Sequence, residues 1–265
     1  MASRGDRSTV VHQIAALASN TFKEATRSRV FYILLAFAVA LLLFSSAMGF
    51  MAVGSIRRVV LDMGLSTVSY FSAMTAIFVG VGLIYREIEH KTIYNILSKP
   101  VSRTVFLAGR YAGLMAVLLV NLAAMTAVLS LVLAFFGGFT PRVFAAAGYI
   151  YLELLILTAV ALFFSSVTSP VVSALCTAAF YIIGHTSSAL PDLLVPYLTS
   201  TWERRLAVGI YHILPDLNLL SINNLVSNNI PTAHGFAIRA VLYTVLTVAI
   251  LMLASALCFK RRDLV

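Results

Sequence analysis

Six apolar runs, near 30–53, 66–85, 105–136, 143–167, 170–190 and 237–259, alternate along the chain with shorter polar stretches. Crossing a hydrocarbon core of about 30 Å takes roughly 20 residues of helix at about 1.5 Å each. The pattern predicts an all-α membrane protein with six transmembrane helices, forming a single domain over residues 1–265. The third run is longer than one crossing needs and holds Arg110 in its first turns, so its crossing is expected from near Tyr111, with Arg110 at headgroup level.

Three stretches outside these runs have an organisation of their own. In residues 1–29, Val10, Val11, Ile14, Leu17, Ala18 and Phe22 recur at helical spacing after Ser8, a suitable N-cap. His12, Gln13, Asn20, Lys23 and Arg27 fall largely elsewhere on the wheel, which predicts an amphipathic elbow lying in the membrane interface before the first span. The 86–103 stretch, REIEHKTIYNILSKPVSR, gathers Ile88, Thr92, Ile93, Ile96 and Leu97 on one helical face among Glu87, Glu89, His90, Lys91 and Asn95. Pro100 stops that helix, and Ser102 is placed to cap the next one, whose first turns carry Arg103 and Arg110. A short helix between two spans can move both together when a partner grips it, or it can be a plain interfacial connector. The third stretch, 191–236, is broken by Pro191, Pro196, Pro215 and Pro231. Within it, Ser200 and Glu203 form a possible capping box ahead of an apolar face of Trp202, Leu206, Ile210, Ile213 and Leu214, as an outer gate or a passive cover would require.

Composition agrees with the pattern: 60% of the residues are hydrophobic and 11% charged, against about 25% charged in an average soluble domain. The net charge of +9 raises the question of nucleic acid, and its distribution answers it. With the amino terminus inside, Arg4, Arg7, Lys23, Arg27, Arg29, Arg86, Lys91, Lys99, Arg103, Arg110, Lys260, Arg261 and Arg262 fall on the inner side, while Arg57, Arg58, Arg142, Arg204, Arg205 and Arg239 fall outside. Basic residues retained beside a cytoplasmic leaflet account for this bias, and both termini are expected in the cytoplasm. Cys176 and Cys258 sit in separate apolar runs and imply neither a disulfide nor a metal site.

Polar residues inside the runs are the candidates for a substrate path, because an intramembrane carboxylate costs several kcal/mol unless it is paired or hydrated. Glu153 lies in the fourth run, Asn121 mid-way along the third and His185 in the outer part of the fifth. Glu153 could bind a cation or a proton, or simply accept hydrogen bonds from neighbouring helices; for Asn121 and His185 packing is the simpler reading. Tyr149 and Tyr151 read as interfacial aromatics, and Gly109 with Gly113 forms a G-x-x-x-G that permits close helix approach.

The run EIEHKTIYNILSKPVSRTVFLAGRYAG resembles the segment after the second span in permease subunits of type-2 ABC exporters. The resemblance rests on Glu87, Glu89, Thr92, Ile93, Ile96, Leu97, Ser98, Pro100, Ser102, Arg103 and Gly109; where the family usually has Gly before the Thr, this chain has Lys91. The stretches 214–224 and 259–265 are similar to the family as well. The resemblance implies a pair of permeases, most simply a homodimer, joined to two cytoplasmic ATPase subunits that bind ATP and Mg. It also implies that 86–103 is the coupling helix, with Glu87, Ile88, Glu89, Lys91, Thr92, Ile93, Ile96, Leu97, Pro100 and Arg103 engaging the ATPase. In this family the outer 191–236 stretch often contains partly re-entrant helices.

Three functional classes compete on these observations. The first is the permease of an ATP-driven exporter in a bacterial inner membrane, with hydrolysis in a separate chain because no G-x-x-x-x-G-K-[ST] occurs here. The second is a membrane anchor that transmits ATPase strokes to a periplasmic or cell-surface machine. The third is an intramembrane enzyme built on Glu153 and His185, which lacks an H-E-x-x-H or a nucleophile–base set.

Overall fold

The computed structural model describes residues 4–51, 56–89, 103–136, 139–186, 217–221 and 235–261. Seven α-helices occur among them: α1 Arg4–Thr26, α2 Arg29–Met51, α3 Ile56–Glu89, α4 Arg103–Phe135, α5 Arg142–Val167, α6 Pro170–Thr186 and α7 Phe236–Arg261. A single 3-10 turn, Leu217–Leu220, also lies among the described residues, and no strand does. Four helical segments are long and apolar enough to cross a membrane: Arg57–Gly82, Thr104–Phe135, Arg142–Val167 and Phe236–Cys258. The bent pair α1–α2, which turns by 62° at residues 27–28, brings the number to as many as five, and α6 is apolar but shorter. The chain is a multi-pass membrane protein.

The second apolar run understates its helix. α3 starts ten residues earlier than the run, because Val60, Leu61 and Leu65 are buried and Gly64 lets the side chain of Leu129 in α4 lie directly on its backbone. At its other end α3 continues through Glu89, so residues 86–89 extend a span instead of opening a separate helix. α1 likewise begins before Ser8, which is therefore inside a helix and not at its N-cap.

α5 is the centre of the fold. It packs against α3, α4, α6 and α7, and Ile156, Leu157, Ala159, Val160, Ala161 and Leu162 are all buried. Two tyrosines pin it to α4: Tyr111 donates to the Leu155 carbonyl at 3.1 Å, and Tyr151 donates to the Met115 carbonyl at 3.3 Å. Tyr151 is thus an interhelical brace and not an interfacial aromatic, since its hydroxyl points at a neighbouring backbone instead of the headgroups. Tyr149 packs on Phe236 of α7 with 5.5 Å between ring centres.

α1 is seated along the start of α4. A Cβ on Gly109 would stand 2.6 Å from the Cβ of Leu17, and one on Gly113 would stand 2.7 Å from the carbonyl oxygen of Ala18. The G-x-x-x-G is therefore a seat for α1, which approaches too closely for any larger residue. α1 meets the two glycines through the side chains of Leu17 and Thr21 and the backbone carbonyls of Ile14 and Ala18, whereas Val11 is exposed. Arg110 is buried beneath α1, donating to Thr21 Oγ1 at 3.0 Å and pairing with Glu24 Oε2 at 3.3 Å. A guanidinium in that position needs its partners, because desolvating an unpaired charge costs several kcal/mol.

Candidate functional site

The turn between α5 and α6 sets the register that builds the site. α5 ends at Val167, Thr168 is extended, and Pro170 opens α6 in the first helical position, where its fixed φ and missing N–H cost nothing. Two helices leaving such a turn run antiparallel, so residues equally far from Ser169 on either side meet. Ser165 and Ser173, a few steps out, share a hydrogen bond of 3.0 Å. Sixteen steps back from Ser169 is Glu153, and sixteen steps on from it is His185.

Those two side chains meet directly, with His185 Nε2 at 2.7 Å from Glu153 Oε1. Glu153 is buried near the middle of α5 and His185 is partly exposed near the end of α6. A hydrogen on Nε2 donates to the carboxylate, and the same contact serves a neutral or a charged imidazole. The ring of His185 stands edge-on to buried Tyr181 at 4.6 Å, and Tyr181 stands edge-on to Tyr70 of α3 at 6.2 Å. The 3-10 turn closes the same end: Asn218 donates to the His185 carbonyl at 2.5 Å, and Leu217 lies against Gly184, where a Cβ would meet it at 2.6 Å. Part of the 191–236 stretch thus covers the end of α6 that carries the pair and satisfies one of the carbonyls a helix end leaves open.

Asn121 is not joined to this pair by a hydrogen bond. It is buried in α4 and donates to Met125 Sδ at 3.7 Å, the same sulfur that Ser72 of α3 approaches at 3.7 Å. That cluster is an α3–α4 packing feature. Among the described residues there is no group of three or more His, Cys, Asp or Glu able to hold a metal ion.

With the geometry in place, comparison with known families decides the assignment: the family described as ABC-2 family transporter protein matches residues 15–264. The chain belongs to the ABC-2 transporter family. A comparison with curated proteins finds no match. Family membership makes this chain a membrane component of an ABC transporter and implies association with an ABC ATPase. For the residues expected to engage that ATPase, Glu87, Ile88 and Glu89 lie in the last turn of α3, and Arg103 is the first residue of α4. Lys91, Thr92, Ile93, Ile96, Leu97 and Pro100 lie outside the described residues.

Within this ABC-2 protein the Glu153–His185 pair has a measurable structural share. Glu153→Gln keeps a group that hydrogen-bonds His185, and its unfolding midpoint is expected to stay near that of the parent. Glu153→Leu leaves a partly buried imidazole without its partner, a loss of about 1 to 3 kcal/mol. Thermal unfolding of purified protein checks both, and an unchanged midpoint for Glu153→Leu would show that the pair bears no load. A Gln variant that folds normally but changes ATPase-coupled activity would assign the charge itself a role.

Proposed function

We propose that this chain is the permease subunit of an ATP-driven exporter in a bacterial cytoplasmic membrane, working as a homodimer with two copies of a cytoplasmic ABC ATPase. The observation that carries the reading is the family match over residues 15–264. Catalysis stays in the partner, which binds ATP and Mg, and this chain contributes the pathway and its coupling. Six crossings follow if α2 and α6 each span the membrane beside the four long segments, with α1 as the elbow and both termini inside.

Coupling in this reading uses residues 86–103. A displacement imposed there reaches α3 and α4 at once, because Glu89 ends one and Arg103 begins the other. α1 moves with α4 through the Arg110–Glu24 pair and the two glycine contacts. At the opposite end the 3-10 turn, the Glu153–His185 pair and Tyr181 form a closure that a shift of α3 against α5 and α6 would open.

The reading is tested by capturing the tagged full-length chain from solubilised membranes, where an ABC ATPase is expected to accompany it; a chain that brings no ATPase overturns it. Topology is tested separately by single-cysteine labelling after replacement of Cys176 and Cys258. Cysteines at positions 90 and 263 are expected to react from inside and those at 60 and 205 from outside. Labelling of position 90 in intact cells from the outside contradicts the arrangement.

A further inference from the structure

An apolar groove runs between α4 and α5, with a volume of about 790 Å³. Leu119, Ala127 and Ala134 of α4 and Ala147 and Gly148 of α5 line it, and Phe139 and Phe144 close one end. From Leu119 to Ala134 the groove follows about 22 Å of helix, longer than the roughly 15 Å depth of one leaflet. Its wall offers almost no hydrogen bonding: Ser130 donates to the Thr126 carbonyl at 2.7 Å, and the Tyr151 hydroxyl is spent on Met115. Small side chains on both helices leave the space open, and a Cβ on Gly148 would meet no atom within 4 Å.

One end of this groove is charged. Arg57 Nη2 donates to Thr140 Oγ1 at 3.1 Å, which places its guanidinium beside Phe139, and Arg142 stands two residues before Phe144. Both arginines are exposed, and both begin membrane-spanning segments, Arg57–Gly82 and Arg142–Val167, so they stand at headgroup depth. A guanidinium has five N–H donors, and the bond to Thr140 uses one of Arg57's.

We propose that this groove is a specific site for an anionic phospholipid, one acyl chain lying between α4 and α5 and the headgroup phosphate held by Arg57 and Arg142. The assignment does not depend on the ATPase reading. Charge decides between a lipid and a second copy of the chain. Two copies related by a two-fold axis in a membrane sit at one depth, so pairing through this face would bring four guanidiniums together at one end of the interface. A phosphate at the same place is complementary to them.

The test reconstitutes full-length protein in phosphatidylcholine vesicles carrying a trace of spin-labelled phosphatidylglycerol or spin-labelled phosphatidylcholine. Phosphatidylglycerol is expected to show a motionally restricted population with at least tenfold higher association than phosphatidylcholine. Filling the groove from either wall, with Gly148→Phe or Ala127→Phe, displaces several methylenes and is expected to weaken that association roughly tenfold or more. Leu253→Phe, on exposed α7 surface away from the groove, is expected to change nothing. Arg57→Gln with Arg142→Gln is expected to lower phosphatidylglycerol association roughly threefold or more per guanidinium, to the level of phosphatidylcholine. Because Arg57 also holds Thr140, Arg142→Gln alone is measured beside it and is expected to give about half the effect in logarithmic terms. Equal restriction of the two lipids, or indifference of the restricted population to both Phe variants, reduces the groove to ordinary annular contact and overturns the proposal. Phe variants that leave the lipid signal intact but abolish cross-linking between two copies would assign the groove to a second chain, which also overturns it.

Discussion

Gly113→Leu is expected to unseat α1 from α4 and to expose residues that the native packing keeps from solvent. A Cβ at this position would stand 2.7 Å from the carbonyl oxygen of Ala18, and that oxygen is backbone, which cannot turn aside. α1 has to move as a body, and overpacking of this kind costs about 1 to 3 kcal/mol. The larger loss follows from what the movement breaks. Arg110, buried beneath α1, keeps its charge there only through Thr21 at 3.0 Å and Glu24 at 3.3 Å together with its remaining contacts in the same place. Separating a buried pair costs about 3 to 5 kcal/mol, a large part of the stability of an ordinary domain. The measurement is maleimide reactivity of an Ala25→Cys probe, with Cys176 and Cys258 replaced, because Ala25 is fully buried in the native packing. The probe is expected to be protected when Gly113 is present and labelled in the Gly113→Leu protein, with Gly113→Ala in between. Continued protection at unchanged thermal stability would mean that the glycine seat does not hold α1.

The hydrophobic pattern made the helices legible because each apolar run is long and bounded by charge or proline, as at 142–167 and 236–261. It mislocated ends wherever burial was supplied by a neighbouring helix instead of by lipid. Residues 56–65 read as polar because Arg57, Arg58 and Asp62 interrupt them, yet the opposite face, with Val60, Leu61 and Leu65, packs into the core. Arg110 read as a residue of the helix start, and its burial was not legible, since nothing in the spacing of one helix reveals that α1 brings a carboxylate to it. G-x-x-x-G correctly marks close approach, but the motif does not name its partner, and here the partner is α1.

The site was legible as residues and not as a pair. Glu153 and His185 each stood out by burial cost, while Asn121 shared the same signal and lies apart from them beside Met125. The information that joins the first two was present in the chain: a Thr-Ser-Pro turn at 168–170 followed by an antiparallel partner puts residues at equal distance from the turn side by side. Counted from Ser169, Glu153 and His185 stand sixteen residues to either side and Ser165 and Ser173 four, so the hairpin places each pair together. The contact of Asn218 with His185 carried no such signal, because the number of residues between α6 and the 3-10 turn leaves their meeting undetermined.

Ile93→Asp or Leu97→Asp is expected to leave the chain inserted in the membrane while releasing the ATPase and abolishing coupled hydrolysis. Both residues lie outside the described ones, between two helices that the structure does describe. α3 runs unbroken to Glu89, α4 starts at Arg103, and the two helices pack on each other and on α5. The stretch between them carries Ile93, Ile96 and Leu97 beside Glu89, His90 and Lys91, an apolar cluster within a charged segment. Such a cluster is seldom left in water without a partner or a membrane to cover it. Truncating an anchor buried in a protein groove commonly costs about 1 to 4 kcal/mol of binding, and a carboxylate introduced there adds the cost of burying an unpaired charge. Capture of the ATPase by the tagged chain is expected to fall at least tenfold for either variant, with membrane insertion unchanged. Arg58→Asp, on an exposed residue at the opposite end of α3, makes a larger change in charge and is expected to leave capture intact. Full capture with Asp at both 93 and 97 would make this stretch a plain connector and would remove the coupling path through α3 and α4, while leaving the family assignment untouched.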